Sequence, residues 1–265
     1  MKIAWICIFM VMEFLVHAQS DFKKGDQFKK ESFSNMNSVI RLGSNNIQIG
    51  IESSISQLYS IEEISPNGYI FKVITSKISD SIKSFGEQVY YNSERLKDTT
   101  SVIEKAIKSL LNQTFLVQVD KKGNILTVKT NSIEYPSDPL PEILGLFSNS
   151  FIKGGTIGLI TNYNFNTLQG NRFSNIDSSI INNNKTVTTY SINSQTDSLT
   201  VIFFTQKIQG SLTSTNTNGV LMVNNATGMV VEKATKSITA EDQIFNGMAY
   251  SIIRKTATIE SYKKL

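Results

Sequence analysis

Cysteine, histidine and tryptophan occur once each in the 265 residues, as Cys7, His17 and Trp5, and all three fall within the first 18 positions. That stretch has its own character. Met1-Lys2 gives a positive start, Ile3 to Val16 is apolar apart from Glu13, and Val16-His17-Ala18 offers the small residues that signal peptidase accepts before Gln19. Residues 1–18 therefore read as a cleaved signal peptide. The apolar run, about 14 residues, is short of the ~20 that span a bilayer, so no transmembrane segment is expected after cleavage. Cys7 lies inside the run, so there is no lipobox, and the mature chain is expected to be periplasmic or secreted.

Removal of the signal leaves 19–265 with no Cys, His or Trp. No disulfide, Cys nucleophile, Ser-His-Asp triad, imidazole base or His-based zinc site can then form. The expectation is a non-enzymatic chain without metal or cofactor. Charge excludes little more: 26 Lys+Arg against 22 Asp+Glu gives +4, unchanged when Lys2 and Glu13 leave together. Nucleic-acid binding would need the basic residues concentrated among aromatics on one face, and no nucleic-acid partner is expected.

What is present is a core-building, β-prone composition. Hydrophobic residues make up 40% and charged residues 18%, and Ser, Thr and Asn together reach roughly 30% by count, a mixture typical of β-rich exported chains. Residues 19–37 carry Phe-Lys-Lys twice, at 22–24 and 28–30, and read as a flexible N-terminal segment. From 38 onward short β-prone runs alternate with turns. Ser65-Pro66-Asn67-Gly68, Asp120-Lys121-Lys122-Gly123 and Asn225-Ala226-Thr227-Gly228 each place a turn-capping side chain first and Gly fourth, predicting three hairpins. Phe115, Val117 and Val119 alternate with polar neighbours as on a strand with one buried face. Leu199 to Phe204 and Tyr69 to Ile74 are apolar on both parities, which predicts strands covered on two sides.

Two helices are expected to supply the cover. Ser101-Val-Ile-Glu104 is a capping box ahead of an apolar stripe of Ile103, Ala106, Ile107, Leu110 and Leu111. Asp138-Pro139 opens a second stripe of Leu140, Ile143, Leu144, Phe147 and Phe151, ended by Gly154-Gly155. The expected division is an N-terminal β-rich lobe with two helices (38–165), a polar linker (166–185) and a C-terminal antiparallel lobe (186–265). The fold class is mainly β: curved antiparallel sheets, a half-barrel or sandwich, with about two covering helices.

Motifs that carry chemistry are few. Glu62-Glu63 and Glu241-Asp242 are adjacent pairs that a strand would point to opposite faces, against a catalytic dyad. Ser150-Phe-Ile-Lys153 has the Ser-x-x-Lys form of β-lactam-reactive enzymes but ends a predicted helix where theirs opens one, and lacks the companion motifs. Gly154-Gly155-Thr-Ile-Gly158 reads as a turn, not a phosphate loop.

Four segments carry a resemblance: Tyr69-Ile-Phe-Lys-Val-Ile-Thr-Ser-Lys-Ile78, Phe85-Gly-Glu-Gln-Val-Tyr-Tyr-Asn-Ser93, Phe115-Leu-Val-Gln-Val-Asp-Lys-Lys-Gly-Asn-Ile125, and Asn218-Gly-Val-Leu-Met-Val-Asn-Asn-Ala-Thr-Gly-Met-Val-Val231. With them the chain resembles a family of uncharacterised exported β-rich proteins of Bacteroidota, departing from it at Gly155-Thr-Ile-Gly158. The resemblance implies export and an antiparallel β fold, and no catalytic residue. At fold level the chain is also similar to periplasmic lipoprotein carriers, whose curved sheet and helical lid hold acyl chains. The leading expectation is an exported binding protein, a carrier of a lipid or hydrophobic ligand, with Phe115, Val117, Val119, Leu199, Val201 and Phe203 lining the site. The alternatives are an envelope structural or protein-interaction module, with an envelope protein as partner, and a carboxylate-based hydrolase.

Overall fold

The computed structural model describes residues 22–97, 100–130, 151–161, 174–181, 184–245 and 248–265. The expected signal peptide, and the second predicted helix up to Phe151, lie outside these residues. Twelve strands follow in order: β1 (Gln27–Leu42), β2 (Asn45–Ser65), β3 (Gly68–Ser84), β4 (Glu87–Asn92), then, after helix α1 (Val102–Leu111), β5 (Thr114–Asp120), β6 (Ile125–Thr130), β7 (Ser174–Ile181), β8 (Asn184–Gln195), β9 (Leu199–Gln209), β10 (Thr213–Asn224), β11 (Val230–Phe245) and β12 (Met248–Lys264). Among the described residues α1 is the single helix. All strands join one open antiparallel sheet in the order β6-β5-β3-β2-β1-β12-β11-β10-β9-β8-β7, with β4 also paired to β3. The expected N- and C-terminal regions thus share one sheet, joined where β1 pairs β12.

The segment 19–37 was expected to be flexible; from Gln27 it is instead strand β1 at the centre of the sheet, and this corrects the sequence reading. The cause is a period of two that its lysines disguise. Phe28, Lys30, Ser32, Met36 and Ser38 are buried on one face while their neighbours point away. Lys30 tolerates burial because Glu260 faces it as an ion pair. Of the expected linker 166–185, residues 174–181 form β7 and Asn184 opens β8.

Local chemistry explains the elements that were foreseen. Ser101 caps α1 by accepting from the Glu104 amide at 3.3 Å, while Glu104 takes the Lys97 amide at 2.9 Å. The Asp120 turn closes as expected, its carboxylate accepting from the Lys122 and Asn124 amides at 2.9 Å each. In the third hairpin the capping residue is Asn224, one position earlier than the sequence pattern suggested, with Gly228 at φ 66°.

The two faces of the sheet differ. On the inner face the hairpin turns at one end enclose a core of Phe28, Tyr59, Phe71, Val117, Val119 and Tyr262, all at most 4% exposed. Residues 151–161 form a strap across this end. The Ile125 amide donates to Gly155 O at 2.8 Å, and the Val230 amide donates to Leu159 O at 3.0 Å. β6 and β11 lie six strand spacings apart in the sheet, about 29 Å if it were flat, whereas residues 155 to 159 reach only about 14 Å. The sheet must therefore curl at the strapped end. Gly158 (φ 79°) lets the strap pass the buried Tyr262, because a Cβ there would come within 2.7 Å of the Tyr262 hydroxyl.

Above this core sits a buried charge cluster. Lys30 pairs with Glu260, and Lys233 lies 3.6 Å from it. Burial acts to raise the Glu260 pKa, but the two ammonium groups outweigh it and hold the carboxyl below its usual range. Farther up, Met36, Ile51 and Ile82 form a second cluster with Ile103 of α1.

Candidate ligand-binding sites

Register across the strands determines which side chains meet. On the outer face a single transverse row runs Phe33 (β1), Ile259 (β12), Ala234 (β11), Val220 (β10), Phe203 (β9). Bulky residues stand at the two sides and alanine lies between them. The adjacent row is Asn35, Ala257, Lys236, Asn218, Thr205. Together the rows bound an open groove of about 610 Å³. Phe33 is 51% exposed and Phe203 44%, so the row leaves a contiguous apolar patch open on the outer face. Lys236 borders the groove, is exposed, and has no ion pair among the described residues.

The inner face carries a second cavity, of about 320 Å³, between the charge cluster and α1. Its lining reaches from Asp80 (β3) and Leu110 (α1) to Thr215 (β10). A flat sheet would hold β3 and β10 about 24 Å apart, so the curl persists here. Ser and Thr side chains make up half of the lining and Met36, Ile51, Ile55, Ile78 and Leu110 its apolar part, and Arg254 and Glu241 form an ion pair in it at 2.7 Å. Asp80 is 2% exposed, and neither of its oxygens has a hydrogen bond of good geometry, the Ser53 hydroxyl being the donor that faces it. Burial pushes its carboxyl above the usual range, opposed only by the facing Ser53 hydroxyl.

The residues singled out from sequence divide between these environments. Val117 and Val119 are fully buried in the strapped core, and Phe115 packs at its margin with its ring centroid 5.3 Å from that of Phe151. Phe203 forms a wall of the outer groove, and Leu199 and Val201 share its strand and parity. Register thus places the β5 trio and the β9 trio on opposite faces. Leu199 to Phe204 is apolar on both parities, yet its second face is not closed over: Phe203 stays exposed. Phe33, Ala234 and Ile259 were missed because Phe33 lies in the segment taken as flexible. Asp80 was missed because a lone Asp in a Ser-rich strand carries no motif.

Of the acidic pairs, Glu62 and Glu63 are both exposed. Among the described residues no group of three His, Cys, Asp or Glu could hold a metal ion. No helix among them is long and apolar enough to cross a membrane.

No family model matches the chain, and no curated protein matches it, so the Bacteroidota resemblance finds no support. Solved structures do match. Lipovitellin, in a structure of its lipid–protein interactions, aligns with 92% of this chain and 26% of its own, at 10% identity and a TM-score of 0.50. This chain therefore spans about a quarter of the lipovitellin chain, and the likeness is one of fold. An outer membrane channel from Pseudomonas putida covers 92% of this chain and 98% of its own, at 7% identity and a TM-score of 0.27. The translocator domain of a Neisseria meningitidis autotransporter gives 92% and 90%, at 6% identity and a TM-score of 0.26.

Proposed function

We propose that this chain is an exported binding protein, released by cleavage after residue 18, whose outer groove holds the acyl part of a lipid or another hydrophobic ligand. The observation that carries this is the transverse row Phe33, Ile259, Ala234, Val220, Phe203, in which two half-exposed aromatics flank an alanine floor. A groove of about 610 Å³ lies within the ~300–1,000 Å³ of ordinary ligand sites. The groove also has a polar side with the exposed ammonium of Lys236, which has no ion pair among the described residues and suits an amphiphile better than a plain hydrocarbon. The outer groove is preferred to the expected helix-covered interior, because the inner face is packed solid at one end and its cavity at the other mixes apolar residues with eight Ser and Thr and three charged side chains. In this reading Phe203 is a wall residue, Leu199 and Val201 continue the same face, and Phe115, Val117 and Val119 hold the core. The similarity to lipovitellin agrees with the reading at the level of the fold alone.

The test is titration of the mature protein with palmitate by isothermal calorimetry. Burying a Phe side chain fully is worth about 1.5–3 kcal/mol. Phe33 and Phe203 are already half covered, so each contributes about 1 kcal/mol on binding, close to five-fold in affinity. Phe33→Ser and Phe203→Ser together should weaken palmitate about 30-fold at unchanged melting temperature. Undiminished binding by the double variant, or none by the wild type, would refute the groove.

A second reading, as a protein-interaction module, is favoured by the open sheet: among the described residues β7 pairs only with β8. Such an edge can accept a strand from a partner. Co-purification of one stoichiometric protein with no lipid would select it.

A further inference from the structure

The inner cavity lies on the face opposite the groove, and the palmitate reading makes no use of it. Its shape follows from register. Asp80, Ser53, Ser34, Thr258, Thr235 and Gly219 form one transverse row across β3, β2, β1, β12, β11 and β10. Four of them, Asp80, Ser53, Ser34 and Thr258, line the cavity, and the row closes at Gly219, beneath the Phe204 ring. Gly219 is constrained to be small, since a Cβ there would come within 2.4 Å of the Phe204 ring lying over it. The row therefore makes a floor of hydroxyls that ends, on the β3 side, at a buried carboxylate.

Charge in the cavity does not balance. Glu241 is committed to Arg254 at 2.7 Å, which leaves Asp80 as the uncompensated anion. Neither Asp80 oxygen has a well-formed hydrogen bond although the side chain is almost wholly buried, and the donor that faces it is the neutral Ser53 hydroxyl. A carboxylate so placed strongly favours a cationic donor that reaches it inside the cavity. The surrounding hydroxyls can both donate to and accept from further hydroxyls on the same ligand.

We infer that the inner cavity is a second binding site, specific for a small polyhydroxylated ligand bearing an amine, whose ammonium group is received by Asp80. Charge-assisted hydrogen bonds supply its selectivity, and the neutral counterpart of the same ligand is discriminated against. The site is independent of the groove, so either can fail without the other.

The test uses glucosamine as the probe, with glucose and N-acetylglucosamine as neutral controls of related shape, titrated into the mature protein at pH 7.5 by calorimetry or saturation-transfer NMR. Glucosamine is expected to bind about ten- to a hundred-fold more tightly than either control. Asp80→Asn, nearly isosteric, should erase that preference, and Asp80→Ser serves as a second variant should the first fold poorly. Phe33→Ser with Phe203→Ser should leave it intact. Equal binding of all three sugars, no binding of glucosamine by the wild type, or a preference that survives both Asp80 substitutions would each overturn the inference.

Discussion

Glu260 faces two ammonium groups beneath the inner cavity, and its removal gives a well-defined perturbation. Side-chain exposure is 10% for Lys30, 12% for Glu260 and 33% for Lys233. In Glu260→Gln, Lys233 can turn toward solvent, but Lys30 is held under the sheet beside Tyr262, 5.8 Å from its ring centroid. The variant thus leaves one buried charge without its counter-ion, a change that costs about 3–5 kcal/mol when one partner of a buried pair is deleted. Because only Lys30 is trapped, the lower end, about 3 kcal/mol, is expected. With a urea m-value of about 3 kcal/mol/M for a chain of this size, the unfolding midpoint should fall by about 1 M.

The pH dependence of Glu260 has a definite sign. Its folded pKa lies below the unfolded value of 4.5, so its contribution is fully present above that pH and is lost as pH falls through the folded value. Glu260→Gln should therefore show a shallower loss of stability on acidification below about 4.5 than the wild type. Replacing both partners, as Lys30→Met with Glu260→Leu, should recover most of the loss, since an apolar pair of similar size leaves no orphan charge. Urea titration followed by far-ultraviolet circular dichroism reads all three. A Glu260→Gln midpoint within about 0.3 M of wild type would refute the view that Lys30 depends on this carboxylate.

Asp80 should behave in the opposite sense. Its folded pKa is raised, so stability falls as pH rises from about 3.8 through the folded value, and Asp80→Asn should be the more stable protein at pH 8 by about 1–3 kcal/mol, with the gap closing at pH 4; thermal melts at the two pH values decide it. Val117→Ala, in a fully buried position of the strapped core, should destabilise by about 2 kcal/mol in urea titration, and an effect below about 0.5 would mean the core there is loose. Gly158→Val should open the strap, because the new side chain meets the Tyr262 hydroxyl at a backbone φ of 79°; faster amide exchange at Ile157 and Val230, with the rest of the sheet unchanged, is the expected signature.

How much of this was legible in the sequence depended on range. The Ser65, Asp120 and Asn224 turns and the Ser101 cap are written in contiguous residues whose side chains bond their own backbone, and they appear as read or one position away. β1 was hidden because the residue that makes Lys30 acceptable in a buried position, Glu260, is 230 positions later. The same distance hid both sites. Phe33 and Phe203 become neighbours of one groove only through β12, β11 and β10, and Asp80 meets Thr258 only through β2 and β1. No window of sequence contains those registers, so apolar parity identified strands and left undecided which face each would share. The surplus of Ser and Thr, taken as a mark of export, also paves the inner cavity.

The pairing of β1 with β12 at the middle of the sheet bears on how the polypeptide is made. During synthesis β1 through β6 can assemble as a meander long before residues 248–264 exist, and until then one long side of β1, with Phe33 and Val39 on it, stays unsatisfied. Such an edge is a template for association with other chains. Contacts that close only at the last strand are also the slowest to form, since the intervening loop must be ordered first. The order of the strands therefore favours delaying folding until the whole chain is available, and a holdase that masks β1 on the nascent protein would raise its yield without touching the finished fold.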